Sequence, residues 1–294
     1  MDLKIVAVIT IFLQSFHAEA GGLSYNFYDQ SCPQLENIVR AQVQYVSLAD
    51  PTTPSALLRL LFHDCQVQGC DASILLDGTK YSEMASSKNF GIRKRDFIDF
   101  IKSTVEEVCP EQVSCADILV DPPTWWHLVG GMDKTALLPP ADIGVDAMLQ
   151  LFTKKGLSVQ ESVAILGAHT LGITHCLNLE NRAGNSINPG FENTLRLKCP
   201  VGSPASKISF VQNDVTSILF DNQYFVNSMN GRGVLKIDAQ MPLDYRTRPF
   251  VEKFGNDEKA FFQAFSSAFV KLSSSNVLTG NQGVIRRSCN GLMY

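Results

Sequence analysis

Apolar positions recur at helical spacing along most of this 294-residue chain, and stretches that alternate at period two are few, so the pattern predicts a mostly α protein with very little strand. Cys32-Pro33-Gln34-Leu35-Glu36-Asn37-Ile38-Val39 opens one helix, and Ser55 to Cys65 forms a second, with Thr53 placed to cap it and Pro54 suited to its first turn. Asp96 to Val108, with Phe97, Ile101 and Val105 on one face, predicts a third, and Glu258 to Leu272 a late amphipathic one. Ser158 and Glu161 have the spacing of a capping box at the head of a helix that runs through Val163 to His169 and Thr170. Ser114 to Val120 predicts only a short helix, because Asp121 is followed by Pro122 and Pro123, which remove donors and clash with the preceding turn. Trp125 and Trp126 are expected to pack in a core, and the Gly, Pro, Asn and Ser content of 77–90, 139–144 and 181–206 predicts loops.

Two polar exceptions break the apolar helices. Arg59 and His63 stand four residues apart, which puts a guanidinium and an imidazole on one face of a helix otherwise made of residues such as Leu58, Leu60 and Leu61. A buried cation is costly unless it serves an anion or a reacting group, so Arg59 is expected beside a concealed site. His169 lies deep in its own apolar run. A lone histidine there would more often be a packed core residue, but with His63 and Arg59 it suggests groups on opposite sides of one cofactor.

Composition narrows the setting. Ile5 to Leu13 is a short apolar stretch behind Lys4, followed by Ala18-Glu19-Ala20, so residues 1–20 are expected to be a cleaved signal peptide and 21–294 the secreted domain. No later run reaches the roughly 18 apolar residues of a membrane span, so no membrane partner is expected. The formal charge of −4 and the lack of a Lys/Arg stretch give no nucleic-acid partner. Eight cysteines in an exported chain favour four disulfides, and Cys65 and Cys70 are close enough to close a tight loop, although pattern alone leaves the other pairings open. Zinc is disfavoured, since there is neither a CxxC pair nor an HExxH motif.

Arg59-Leu-Leu-Phe62-His63-Asp64-Cys65 with Gly69-Cys70-Asp71-Ala72-Ser73, followed by Gly167-Ala168-His169-Thr170, resembles the distal and proximal motifs of plant secretory (class III) haem peroxidases. The likeness extends over nearly the whole mature chain, through Phe27-Tyr28, Ser31-Cys32-Pro33, Val113 to Asp117, Phe220-Asp221-Asn222 with Tyr224, and Leu278 to Cys289. It implies two helical lobes that sandwich haem b, with His169 as axial ligand of the iron, Asp238 as partner of its other ring nitrogen, and Phe62 lining the pocket. It also implies that His63 moves the peroxide proton, that Arg59 stabilises developing charge, and that Asn89, steadied by Glu83, keeps His63 neutral.

The resemblance further implies two calcium ions, one at Asp64, Val67, Gly69, Asp71, Ser73 and Glu83, the other at Thr170, Asp214, Thr216, Leu219 and Asp221. Gln66 and Gln68 stand where the family usually has phenylalanine and asparagine, and the spacing of Asp214 and Thr216 is one residue tighter than usual, so Asn213 competes for that place. The implied disulfides are Cys32 with Cys109, Cys65 with Cys70, Cys115 with Cys289, and Cys176 with Cys199. Pro139 resembles the proline at the entrance for aromatic donors. Hydrogen peroxide and small phenolic compounds are the implied substrates, and a secreted, extracellular or cell-wall monomer the implied setting. The chain departs from the family in 120–138, where the helix after Cys115 is cut short and an arginine-rich turn is replaced by Gly130-Gly131-Met132-Asp133-Lys134. The rival that this departure raises is a haem-poor homologue without activity, acting as a cell-wall structural or binding protein.

Overall fold

The helix signalled from Cys32 starts at Leu35 and runs to Ala49 (α1), burying Leu35 and Val39, while Cys32 itself is tied to Cys109. It belongs to a computed structural model that describes residues 23, 24, 26–77, 82–120, 135–182, 187–279 and 283–291. The leader at 1–20, the Pro122-Pro123 break, Trp125, Trp126 and the turn at 130–134 lie outside the described residues. The described residues divide into two compact units, one formed by the chain up to Leu138 together with the stretch from Ser273 onward, the other by Pro139–Leu272.

In the first unit, α1 is followed by Thr53–Gln66 (α2), Arg95–Val108 (α3) and Cys115–Val120 (α4). The start of α2 differs from expectation. Thr52 holds the capping position and its hydroxyl turns back to Asp50 Oδ1 at 2.5 Å, while Thr53 is the first helical residue and wholly buried. Asp50 competes successfully for the hydroxyl because its carboxylate also accepts the Thr52 N–H, closing a local turn. In α3 the buried stripe is Ile98, Ile101, Lys102 and Val105; Phe97, expected inside, is half-exposed and stacks on Phe100. Lys102 donates to the Val113 carbonyl at 2.6 Å and pairs with Glu106, which lets its stem serve as core. At the head of α4 the Ser114 side chain exchanges bonds with Asp117, and Tyr28 donates to the same carboxylate at 2.5 Å.

The tail after Ser273 closes this unit. Cys115 is bonded to Cys289, Arg286 donates to the carbonyls of Ala72 (2.9 Å) and Cys289 (2.7 Å), and Asp77 N–H donates to the Asn290 carbonyl. Arg95, at the head of α3, donates to the carbonyls of Ile74, Leu75 and Leu76, fixing the turn that follows Asp71.

The second unit contains Val145–Thr153 (α5), Val159–Leu166 (α6), Ile173–His175 (β1), Pro189–Lys198 (α7), Phe210–Gln212 (β2), Gln223–Met229 (α8), Lys236–Gln240 (α9), Arg248–Asn256 (α10) and Glu258–Ser273 (α11). Among the described residues β1 and β2 form the one sheet, antiparallel with Thr174 opposite Val211, so the expectation of scarce strand holds. α7 corrects the loop expected over 181–206. Asn188-Pro189-Gly190, which looks like a turn, is a helix start: the Asn188 side chain accepts the Phe191 N–H at 3.0 Å and Pro189 fills the first position. The helix is held because Leu195 and the Cys176–Cys199 disulfide bury into a cluster with Leu179, Val211 and Val234.

Phenylalanines from several helices cluster within the core of this unit. Phe225 from α8, Phe254 from α10 and Phe261 from α11 meet at centroid distances of 5.0–6.1 Å, and Phe220 meets Phe265 edge-on at 4.7 Å. Such pairs add about 0.5–1.5 kcal/mol each beyond burial. α11 also reaches α6, where Ser267 (2.7 Å) and Lys271 (2.8 Å) donate to Glu161, the same carboxylate that completes the capping box with Ser158. All four disulfides pair as the resemblance implies; cross-links of this kind typically stabilise by about 2–4 kcal/mol each. No helix of the described residues is long and apolar enough to cross a membrane.

Burial alone would raise the Glu161 carboxyl, but its bonds from Lys271, Ser158 and Ser267 outweigh it and hold the group down at about 2, against an ordinary 4.5. Its ionised form therefore contributes stability that is complete above about 4.5 and disappears as the pH falls toward 2. Glu161→Gln is expected to lower stability by about 1–2 kcal/mol at neutral pH, and the deficit should close across that window in thermal melts recorded at stepped pH. A deficit that stayed constant down to the acid end would show that the charge of Glu161 is not what is lost.

Candidate active site

Leu60 and Leu61 bury one side of α2 and leave Arg59, Phe62 and His63 half-buried on another. His63 Nδ1 lies 2.7 Å from Asn89 Oδ1, and the ring of Phe62 meets that of His63 nearly edge-on. Asn89 is fully buried and its amide donates to the Glu83 carbonyl at 2.8 Å, which turns its oxygen toward the imidazole. That oxygen can only accept, so Nδ1 carries the proton and Nε2 the lone pair of a base. Burial, then the charge of Arg59, pushes His63 down to about 4 despite the Asn89 bond. Arg59 donates to the Phe90 carbonyl at 2.9 Å, and burial, then the charge of Arg93, lowers its pKa.

The expected link from Glu83 to Asn89 runs through the backbone; the Glu83 carboxylate instead accepts from Ser73 at 2.6 Å. Ser73 belongs to the loop after α2, where fully buried Asp64 accepts from the N–H groups of Ala72 (2.9 Å) and Ile74 (3.4 Å), and Asp71 accepts from that of Ser73. Gly69 in this loop has a φ of +131°, and a Cβ there would stand 2.4 Å from the Asn276 carbonyl, so no other residue fits. Burial, and then the neighbouring charge of Asp71, raises Asp64 well above the usual carboxylate range, and burial raises Asp71 too. Among the described residues no three carboxylates, imidazoles or thiolates converge into a metal cluster by themselves. A cation here would need hydroxyl and carbonyl oxygens as well, of the kind Ser73, Val67 and Gly69 carry, which is hard-ion chemistry.

In the second unit, α6 ends at Leu166 and a tight turn, Gly167–Thr170, carries His169 off its end. Gly167 lies against the phenylalanine core so closely that a Cβ would stand 2.4 Å and 2.6 Å from ring atoms of Phe261. His169 Nδ1 donates to Asp238 Oδ1 at 3.0 Å, and Asp238, at 2% exposure, also accepts from the Tyr224 hydroxyl at 2.8 Å and the Leu235 N–H at 2.8 Å. With Nδ1 committed to the carboxylate, Nε2 is the nitrogen with a lone pair for a metal, and the donor set fits a haem iron ligand with a basic imidazole. Burial, followed by the charge of and bond to Asp238, raises Tyr224 well above its ordinary value, so it stays a donor. The sequence singled out Tyr224 only as a landmark; its bond to Asp238 depends on α8 and α9 coming together, for which spacing gives no signal.

Thr170, at the end of the same turn, has its hydroxyl 2.8 Å from Asp214 Oδ2 and 2.9 Å from Asp221 Oδ1, and the Thr216 hydroxyl also lies 3.1 Å and 3.2 Å from those two carboxylates. One hydroxyl proton serves one acceptor, so each threonine brings two oxygens together without a hydrogen between them. A shared cation relieves such crowding, and the set fits calcium. Asn213, the competitor for this place, is engaged elsewhere, accepting from Thr174 at 2.7 Å and donating to the Leu171 carbonyl at 2.8 Å. Leu219 closes the turn through its N–H to the Thr216 carbonyl, and Pro139 is half-buried at the head of the unit.

The family model described as Peroxidase matches residues 39–121 and 128–257, and the break falls where the chain is shortened. Peroxidase 29 of Arabidopsis thaliana is 47% identical over 300 residues, covering 92% of this chain and 88% of that protein. Peroxidase 46 and Peroxidase 66 of the same plant are each 37% identical, covering 97% of this chain and 95% and 98% of their own lengths.

Gly167→Ala is expected to destabilise by about 1–3 kcal/mol, because the Phe261 ring is part of a packed aromatic core and has no room to retreat. Chemical denaturation against the unmodified protein measures it; an unchanged midpoint would mean that the contact is relieved cheaply.

Proposed function

Because the chain belongs to the peroxidase family, and so is a peroxidase and an oxidoreductase, we propose that it uses hydrogen peroxide to take single electrons from small phenolic donors outside the cell, with His169 holding haem b and His63 and Arg59 acting on the peroxide. The observation that carries this reading is the pair of imidazoles with opposite tasks: His169 with Nδ1 committed to a buried carboxylate, His63 with Nδ1 committed to a neutral amide. An anionic partner makes a ring nitrogen electron-rich enough for a metal. A neutral partner leaves a ring that can gain and lose a proton.

Haem, when bound, supplies the iron that receives peroxide and the capacity to store its two oxidising equivalents. The protein supplies the proton movements. With haem bound, His63 Nε2 would take a proton from one peroxide oxygen and give it to the other, which would leave as water. Asn89 holds the ring at the required tautomer and angle, and the Glu83 carbonyl holds Asn89. Arg59 places a fixed positive charge near the oxygen on which negative charge grows as the O–O bond lengthens.

Calcium at the oxygen-rich groups around Asp64 and Thr170 would tie both histidine-bearing segments, since Asp64 follows His63 and Thr170 follows His169 directly. Export is supported by the leader pattern at 1–20 and the four disulfides, and Pro139 is the proposed entrance for the donor. No observation favours the haem-poor alternative.

The test is to express the chain through a secretory route, load it with hemin and calcium, and follow the Soret band and peroxide-dependent guaiacol oxidation. His63→Leu is expected to keep the Soret band and lose about 10²–10⁴ in turnover; Asn89→Val should lose about 10–100-fold. A colourless wild-type protein, or full turnover in His63→Leu, would reject the assignment. Chelation of calcium is expected to lower the melting temperature by several degrees, and superimposable melts with and without chelator would remove calcium from the proposal.

A further inference from the structure

Asp238 Oδ1 is shared. It accepts the His169 Nδ1–H at 3.0 Å and the Tyr224 hydroxyl at 2.8 Å, while Oδ2 accepts the Leu235 N–H. Tyr224 also packs edge-on against the His169 ring, with centroids 5.8 Å apart. Asn222, just before α8, anchors the start of the helix that carries the phenol by donating to the carbonyls of Phe254 (3.0 Å) and Gly255 (3.1 Å), and the Tyr224 ring meets Phe225 at 4.9 Å. Both Tyr224 and Asp238 are buried, so water does not compete for the carboxylate.

We propose that Tyr224 is a positioning residue that sets how strongly His169 donates to the iron, by taking part of the hydrogen-bonding capacity of Asp238 Oδ1. The inference rests on His169 being the iron ligand. Two donors on one carboxylate oxygen share its electron density. The more the phenol takes, the less the oxygen pulls on the Nδ1 proton, and the less anionic the imidazole becomes. Tyr224 thus opposes Asp238: the carboxylate strengthens the ligand and the phenol moderates it. Removal of the hydroxyl leaves Asp238 Oδ1 with His169 alone and strengthens that bond.

The haem-loaded full chain tests this by resonance Raman spectroscopy of the ferrous form, which reads the iron–imidazole stretch, together with the midpoint potential of the iron. Tyr224→Phe is expected to raise the stretching frequency and make the potential more negative. Replacement of Tyr224 by 3-fluorotyrosine, a stronger donor of nearly the same size, should move both readouts the other way, and it decides the matter if the phenylalanine variant does not take up haem. Opposite shifts in the two variants support the proposal, because a packing defect has no reason to reverse sign. A stretch and potential unmoved from wild type in the variants that bind haem, or shifts in the same direction in both, overturn it while leaving His169 as ligand. A wild-type spectrum with no iron–imidazole band would overturn the assignment of His169 and this inference with it.

Discussion

A carboxylate with almost no access to water depends on donors from inside the protein, and Asp238 is answered by an imidazole, a phenol and a backbone amide. This constraint organises the second unit. His169 comes from the turn after α6, Tyr224 from α8 and Leu235 from the head of α9, so three separate stretches converge on one side chain. A carboxylate stripped of any of them would be left under-satisfied in a low-dielectric setting, at a cost of about 1–3 kcal/mol. The phenylalanine core serves the same end from below: Gly167 rests on Phe261, and that contact determines how far the histidine-bearing turn can sink.

The first unit uses the opposite chemistry to hold its histidine. Asn89 is a neutral acceptor whose orientation is fixed by a backbone carbonyl, and the result is an imidazole held as a base. The two arrangements share a logic in which the second ring nitrogen is occupied so that the first is available. They differ in the charge of the group that occupies it. Around each, oxygen-rich loops begin immediately after the histidine, at Asp64 and at Thr170, so any cation held there bears on the angle of the ring beside it.

Much of this was legible in the order of residues. The capping box at Ser158 and Glu161, the helix from Glu258, the helix start after Ser114 and the scarcity of strand among the described residues all follow from spacing that local physics enforces. Legibility fails where distant segments decide. Asn188-Pro189-Gly190 reads as a turn until Leu195 and the Cys176–Cys199 cross-link provide a surface for a helix to bury against. Phe97 and Ile98 are both apolar neighbours on α3, and only tertiary packing selects Ile98 for the interior. Thr53 resembles a cap in sequence, but Thr52 takes that place and gives its hydroxyl to Asp50. At the candidate site, motifs identified His63 and His169 and family likeness supplied Asp238 and Asn89. The phenol that competes with His169 for Asp238 was beyond reach, because nothing in the run Phe220 to Phe225 says which way its aromatic rings face.

The first unit is assembled from two pieces of chain separated by the whole of the second, and the later piece brings Cys289 to Cys115, Arg286 to Ala72 and Asn290 to Asp77. Synthesis therefore delivers the parts out of order. The helix bearing Arg59 and His63 emerges early yet has to wait for the last few residues before its surroundings are complete, whereas the uninterrupted second unit has all its residues in hand before that. A ribosome that stops short of Cys289 releases a product whose later-made half is whole and whose earlier-made half is not, with Cys115 left without the thiol it pairs with.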